Sequence, residues 1–226
     1  MLELRVAQPA DHEGAVAAWR AAQGGRGLRP SAARVARVRE KVGAGLLVVA
    51  AEGPEIVGMA LGEPGRAQDG AGDLEPGLLH LAMVFVAPPT QRQGIGAALV
   101  EALADASWER GFRSVSVWSR TPEFYEACGL EPSGRTQVLA DGTVATQLVA
   151  ELEPPVQPVV VRSEGIRLGQ LLKLAELVET GSEGKDLLAE GGVEVNGETE
   201  LRRGRQLLHG DVVVARDRAV RVVLET

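Results

Sequence analysis

Apolar and polar residues alternate with period two over residues 2–7 (L-E-L-R-V-A), the mark of a half-buried strand. Pro9-Ala10-Asp11 then leads into a helix to about Ala22, with Asp11 as its expected N-cap. After the glycine-rich G-G-R-G-L-R-P a second helix is expected from the N-cap Ser31 to about Val42, and Arg34, Arg37 and Arg39 give it a basic face. Residues 46–51 and 56–61 are apolar strands joined by E-G-P-E as a hairpin. Residues 62–77 are rich in Gly, Asp and Glu, show no periodicity and exceed an ordinary hairpin connection, so they read as mobile filler or an active-site lid. Residues 78–86 form a near-continuous apolar run, expected to be a central strand buried on both faces.

Pro88-Pro89 ends that run, because proline cannot continue a sheet ladder. From Ile95 the apolar residues Ile95, Ala98, Leu99, Ala102, Leu103 and Ala106 recur at helical spacing, with Glu101, Asp105 and Glu109 on the wet side. A strand at 114–119, a short helix at 122–127 stopped by Gly129, and a hairpin of 135–140 and 144–152 turning at Asp141-Gly142 follow. The segment E-P-P-V-Q-P at 153–158 reads as a proline-rich, semi-rigid linker between a domain at 1–152 and a small one at 159–226. In the latter we expect a strand at 159–162 and a helix whose stripe is Leu168, Leu171, Leu172 and Ala175. A second helix at 182–190 ends at Gly191-Gly192, a hairpin turns at Asn196-Gly197, and strand-like segments at 211–215 and 219–224 close the chain.

Composition narrows the class. Of 226 residues, 45% are hydrophobic and 24% charged, which describes a globular chain. No basic leader or bilayer-length apolar run is present, so a cytoplasmic protein without membrane association is expected. The single cysteine, Cys128, and three scattered histidines predict no metal site. A net charge of −7 argues against wholesale nucleic-acid binding but leaves room for a local basic patch.

The chemistry concentrates after the central strand, in Q-R-Q-G-I-G-A at 91–97. Gly94 and Gly96 open backbone amides at a helix N-terminus, where a positive dipole end and N–H groups without partners form an anion site suited to a pyrophosphate. The spacing fits neither the dinucleotide G-x-G-x-x-G nor a nucleotide-triphosphate loop. It resembles, nearly position for position, the acetyl-coenzyme A motif [QR]-x-x-G-x-[GA] of the GNAT superfamily of N-acetyltransferases. F-Y-E-A-C-G-L at 124–130 is similar to a second segment of that family. The resemblance implies an α/β (α+β) fold, the GNAT acyl-CoA N-acyltransferase fold with a mixed central sheet, matching the expected order β-α-α-β-β-β-α-β-α-β-β.

It implies further that acetyl-CoA is the cosubstrate, with pantetheine laid along Val84, Phe85 and Val86 and the pyrophosphate cradled by Gln91, Arg92, Gln93, Gly94, Ile95, Gly96 and Ala97. Tyr125, the sole tyrosine, matches the family tyrosine that gives a proton to the coenzyme A thiolate, and a phenol near pKa 10 suits that task. The family asparagine is missing, and Trp118, Ser119 and Thr121 occupy its neighbourhood. For the general base His80 is the first candidate, with Asp73, Glu75 and Glu123 as others. Cys128 reads as a buried structural thiol. The helix at 31–42 borders the acceptor cleft in this family.

Residues 166–214 are similar to the small RNA-binding domain of ribosomal protein S-four, through L-L-K-L at 171–174, S-E-G-K-D at 182–186, the run E-G-G-V-E-V-N-G-E-T-E-L-R-R-G-R at 190–205 and H-G-D at 209–211. The matching basic positions are Lys173, Lys185, Arg202, Arg203 and Arg205, which would meet RNA phosphates. From Glu151 onward ten Lys and Arg face fourteen Asp and Glu, and no aromatic is available to stack on a base. The expected activity is acetyl transfer to a primary amine by direct attack in a ternary complex, with residues 159–226 engaging RNA or the ribosome. A small cationic amine and a ribosome-borne amine both stay open as acceptors, as does dimerisation through the last strands. The alternative is a non-catalytic protein that senses acetyl-CoA and binds RNA.

Overall fold

The computed structural model describes residues 1–66, 72–161 and 166–225. Its contacts gather into two units, Met1–Glu153 and Pro154–Thr226. In chain order the first contains β1 (Leu2–Val6), α1 (His12–Gly25), α2 (Ala32–Ala44), β2 (Leu46–Glu52), β3 (Glu55–Arg66), β4 (Leu74–Val86), α3 (Ile95–Glu109), β5 (Ser114–Ser119), α4 (Pro122–Glu126), β6 (Glu131–Val138) and β7 (Val144–Glu151). The strands form one sheet in the order β1-β2-β3-β4-β5-β7-β6, parallel only between β4 and β5. This is the expected mixed α/β architecture.

Helices cover both faces of the sheet, which is why β2 is apolar without alternation and buried at six of its seven residues. On one face Val48, Ala50, Leu79 and Leu81 pack with Leu99 and Leu103 of α3. On the other, Leu47, Val49, Met59 and Leu61 pack with Trp19 of α1 and Val42 of α2. Ser31 caps α2 as expected, accepting from the Arg34 amide at 3.3 Å. On that helix Arg39 is ion-paired with Glu13 of α1.

Three local expectations are corrected. Asp11 does not cap α1 with its side chain. Its carboxylate takes two hydrogen bonds from Arg5 and one from the Gln8 amide, and α1 instead follows a short 3-10 turn over Pro9–Asp11. The expected loop at 62–77 is largely strand, because β3 runs on to Arg66 and β4 starts at Leu74; residues 67–71 lie outside the described residues. Strand pairing across the backbone supports these residues despite their lack of side-chain periodicity. β4 occupies the centre of the sheet, yet most of it is only half-buried, for a reason that becomes plain at the site.

The second unit contains β8 (Val156–Val161), β9 (Ile166–Arg167), α5 (Leu168–Leu174), α6 (Gly181–Ala189), β10 (Val193–Val195), β11 (Glu198–Thr199), β12 (Gln206–Leu207), β13 (Val212–Ala215) and β14 (Arg218–Leu224). Five strands form a sheet in the order β11-β10-β13-β14-β8, and β12 and β9 form a separate pair that the pattern did not foretell. The two helices bury Leu168, Leu171, Leu172 and Leu188 against Val193, Val213 and Val222. Residues 156–158, assigned to the linker, belong instead to β8, which pairs in parallel with β14. Pro158 is tolerated because β8 is an edge strand, where a missing N–H leaves no ladder partner unsatisfied. Of the expected strand at 159–162, Arg162 lies outside the described residues.

Leu99 is fully buried between α3 and the sheet. Leu99→Ala is expected to cost about 2–5 kcal/mol in urea unfolding, the usual range for a buried leucine. Val138→Ala, on the exposed edge strand β6, is expected to stay within about 0.5 kcal/mol.

Candidate active site and basic surface

β4 and β5 pair at only three positions, Leu78↔Ser114, Leu79↔Val115 and His80↔Ser116, although β4 continues to Val86 and β5 to Ser119. Beyond His80 the strands part. On its other side β4 stays paired with β3 as far as Val86, with a register slip that leaves Ala82 unmatched. A slip of this kind bends a strand and strengthens its twist, which turns the end of β4 away from β5. Backbone groups facing the gap have no strand to bond, and this opening is why β4 is half-buried.

The gap leads into a cavity of about 410 Å³. Val84, Phe85 and Val86 form one wall. Gln91, Arg92, Gly94, Ile95, Gly96 and Ala97 form another. Gln93 is exposed and, unlike its neighbours, does not line the cavity. Gly94 is the N-cap of α3 at φ +80°, a left-handed conformation that a side chain would strain, and no side chain caps the helix there. The first-turn amides therefore have no partner within the helix and face the cavity wall. Arg92 also sits at positive φ, +62°. Gln91 has a second role: its Nε2 donates to the Val86 carbonyl at 2.8 Å and fastens the turn to the end of β4.

Tyr125, on α4, lines the same cavity and meets the Phe124 ring edge-on at 4.8 Å. Burial pushes its phenol up to about 12, so it keeps its proton throughout the neutral range. Burial also raises the Cys128 thiol, although the residue is half-buried rather than buried as expected. Thr121 lines the cavity, while Ser119 accepts from the Thr121 amide at 3.0 Å and so shapes the start of α4. The pattern did not single out Arg26, at the end of α1, which borders the cavity and lies over the Phe85 ring at 5.9 Å. The glycine-rich composition around it suggested a loop, whereas α1 continues to Gly25.

His80 stands elsewhere. It lines a second cavity, of about 310 Å³, on the sheet face that packs α1 and α2. Glu63, His80 and Ser116 are directly paired neighbours on β3, β4 and β5, so their side chains form a row across one face. The row lies where β4 and β5 begin to part. His80 Nδ1 is 3.4 Å from Ser116 Oγ. Burial lowers the imidazole below its ordinary value, so it is neutral and able to accept a proton near pH 7. Lys41 reaches in from α2 to Glu63 at 2.5 Å. Asp73, Glu75 and Glu123 line neither cavity. Glu63 and Lys41 were missed, Glu63 because it fell in the segment read as a loop.

In the second unit the five basic positions divide. Glu200 is buried, and its carboxylate takes hydrogen bonds from the Arg202 guanidinium and amide and from the Arg205 guanidinium, which hold it far below the usual carboxylate range. Arg202 and Arg205 are thus tied to an internal counter-charge. Arg203 points away from it, across Gly169, where a Cβ would sit 2.4 Å from Arg203 Cγ. With Arg167 and Gln170 it lines a polar cavity of about 300 Å³ at the start of α5. Lys173 lies on α5 and Lys185 on α6, both exposed.

A sequence model of the Acetyltransferase (GNAT) family matches residues 15–130, just over half of the chain, and one of the S4 domain matches residues 159–223. The probable ribosome maturation protein RlbA of Bacillus subtilis (strain 168) is 48% identical over 56 residues, 25% of this chain and 79% of that protein. Among solved structures, an aminoglycoside 6'-N-acetyltransferase complexed with coenzyme A superposes with a TM-score of 0.54 at 14% identity, over 68% of this chain and 98% of that one. A ribosomal-protein-alanine N-acetyltransferase from Brucella melitensis gives a TM-score of 0.51 at 20% identity, over 66% of this chain and 99% of that one. At these identities the likeness is one of fold.

The amides at the start of α3 are the anion site expected from the sequence. Gly96→Glu, which puts a carboxylate among them, is expected to abolish acetyl-CoA binding in calorimetric titration while leaving the unfolding midpoint within a few degrees.

Proposed function

The chain belongs to the GNAT acetyltransferase family and carries an S4 domain, and from that premise we propose that it transfers the acetyl group of acetyl-CoA directly to a primary amine with both substrates bound. The observation that carries this reading is the parting of β4 and β5 beside a helix N-terminus with partnerless amides. An extended pantetheine arm finds strand-like partners along 84–86, and a diphosphate finds amides at 94–97. Arg26 and Arg92 add charge at the rim. Acetyl-CoA supplies an activated acyl thioester. The neutral His80 takes the proton that the attacking amine loses, and Tyr125, protonated at any neutral pH, offers its hydroxyl proton to the leaving sulfur. Because the phenol lies well above an ordinary thiol near 8.5, its main contribution is a hydrogen bond that stabilises the thiolate.

The S4 domain, together with likeness to a protein named for ribosome maturation, supports RNA or the ribosome as the partner of residues 159–226. Within that domain Arg203 and Arg167, which line one polar cavity, support contact with phosphate, whereas Arg202 and Arg205 serve Glu200 first.

Two outcomes are expected. In an assay of free coenzyme A thiol over a panel of amines, Tyr125→Phe lowers kcat by about 10²-fold or more with acetyl-CoA affinity retained, and His80→Gln lowers kcat/KM by a similar factor. Unchanged turnover in both variants removes these roles. In filter binding to a structured ribosomal RNA fragment at several salt concentrations, Arg203→Ala reduces the slope of log K against log salt by about one, while Arg202→Ala leaves it nearly unchanged.

A further inference from the structure

The cavity on the α2 side of the sheet carries a charge pattern that bears on the acceptor. Among the described residues its walls hold one carboxylate, Glu63, and two cations, Lys41 and Arg66, together with His80, Trp118 and Gln147. Glu63 is already paired with Lys41 at 2.5 Å, and the Arg66 guanidinium donates to the Gly72 carbonyl, at 3.2 Å. The Glu63, His80 and Ser116 row places this cavity where β4 and β5 separate, beside the path assigned to the thioester. Its volume, about 310 Å³, lies at the lower end of small-molecule sites.

A polycation entering this space meets two like charges and must compete with Lys41 for Glu63. A simple amine faces the same competition and leaves Lys41 without a partner. An acceptor that carries an anionic group a few bonds from its amine removes both penalties, because its ammonium replaces Lys41 on Glu63 and its anion receives Lys41 and Arg66. Resting on the acetyltransferase reading above, the geometry points to a small acceptor in which a primary amine sits beside a carboxylate or phosphate. The Lys41–Glu63 pair holds the place of those two charges until the acceptor arrives. In the reaction the bound ammonium gives one proton to His80, the neutral nitrogen bonds to the acetyl carbon as the carbon–sulfur bond breaks, and the second nitrogen proton leaves as the sulfur is protonated. The balance is amide, coenzyme A thiol and one proton released to solvent.

The test uses the full chain with acetyl-CoA, reading thiol release and product mass. The acceptors are L-aspartate, L-glutamate and phosphoethanolamine; spermidine and kanamycin; and tripeptides with an acidic or a neutral residue beside a free amino terminus. The amine-plus-anion compounds are expected to exceed spermidine and kanamycin at least tenfold in kcat/KM. Lys41→Met should raise their KM about tenfold with kcat little changed, and Lys41→Arg should restore it. Preference for the acidic over the neutral tripeptide supports the same chemistry and identifies a polypeptide as its source. If spermidine, kanamycin or the neutral tripeptide is the best acceptor, or if Lys41→Met lowers KM for aspartate, the inference is overturned. Calorimetry with aspartate and coenzyme A separates the two readings. Binding that depends on Lys41 without any turnover upholds the pocket and removes the catalytic reading, whereas neither binding nor turnover overturns the pocket itself.

Discussion

Two strands that pair for three residues and then separate impose the constraint on which the chemistry of the larger unit depends. A buried backbone N–H or C=O without a partner is costly, so a gap between strands demands either water or a ligand that imitates a strand. The slip at Ala82 keeps β4 bonded to β3 from Leu79 to Val86 while its other edge is released beyond His80. One irregularity thereby creates a rigid wall with donors and acceptors facing an opening. The turn at 91–97 adds amides without helical partners at the far end of that wall, and Gln91 ties the two together through the Val86 carbonyl. In the proposed reaction cosubstrate recognition is thus mostly a backbone property, and side chains are left to handle protons and the acceptor.

The order of elements in the larger unit was legible because the helices and strands that build its core are either strongly periodic or uniformly apolar. β2 and α3 are examples, their patterns set by helices on both faces of the sheet. The conformation of the turn before α3 was legible for a similar reason, since Gly94 and the proline pair leave few other conformations open. What escaped depends on partners remote in sequence. Glu63 lies in a stretch without periodicity that becomes strand only because β4 lies beside it. The Asp11 carboxylate was drawn from capping to Arg5, six residues earlier, an ion pair that no propensity encodes. Pro158 looked like a linker residue until β14 was found alongside, and an edge position made proline acceptable there.

The basic cluster of the small unit shows the limit of counting charges. Lys173, Lys185, Arg202, Arg203 and Arg205 are equivalent as letters, yet the buried Glu200 divides the arginines into two that complete the fold and one directed outward. Burying a carboxylate is tolerable only when donors saturate it, and here side-chain and backbone donors do so. Gly169 admits the Arg203 stem by close approach, a role visible only once α5 and the turn at 203–204 are brought together. The net acidity of the domain therefore says little about the sign of the field where a phosphate would arrive.

The same distinction between total and local charge governs the larger unit. A chain of net charge −7 invites the expectation of a cationic guest. At about 10 Å of screening length in ordinary buffer, however, distant surface carboxylates contribute little inside a recessed site, and the few groups on its wall decide. On the α2 side those groups, among the described residues, are one carboxylate and two cations, already half-satisfied by one another. An acceptor pays least to enter such a site when it brings both signs, because each protein charge then exchanges one partner for another rather than losing it. Specificity of this kind comes from complementarity to a charge pair rather than attraction to a net charge, and the Asp and Glu content of a sequence does not record it.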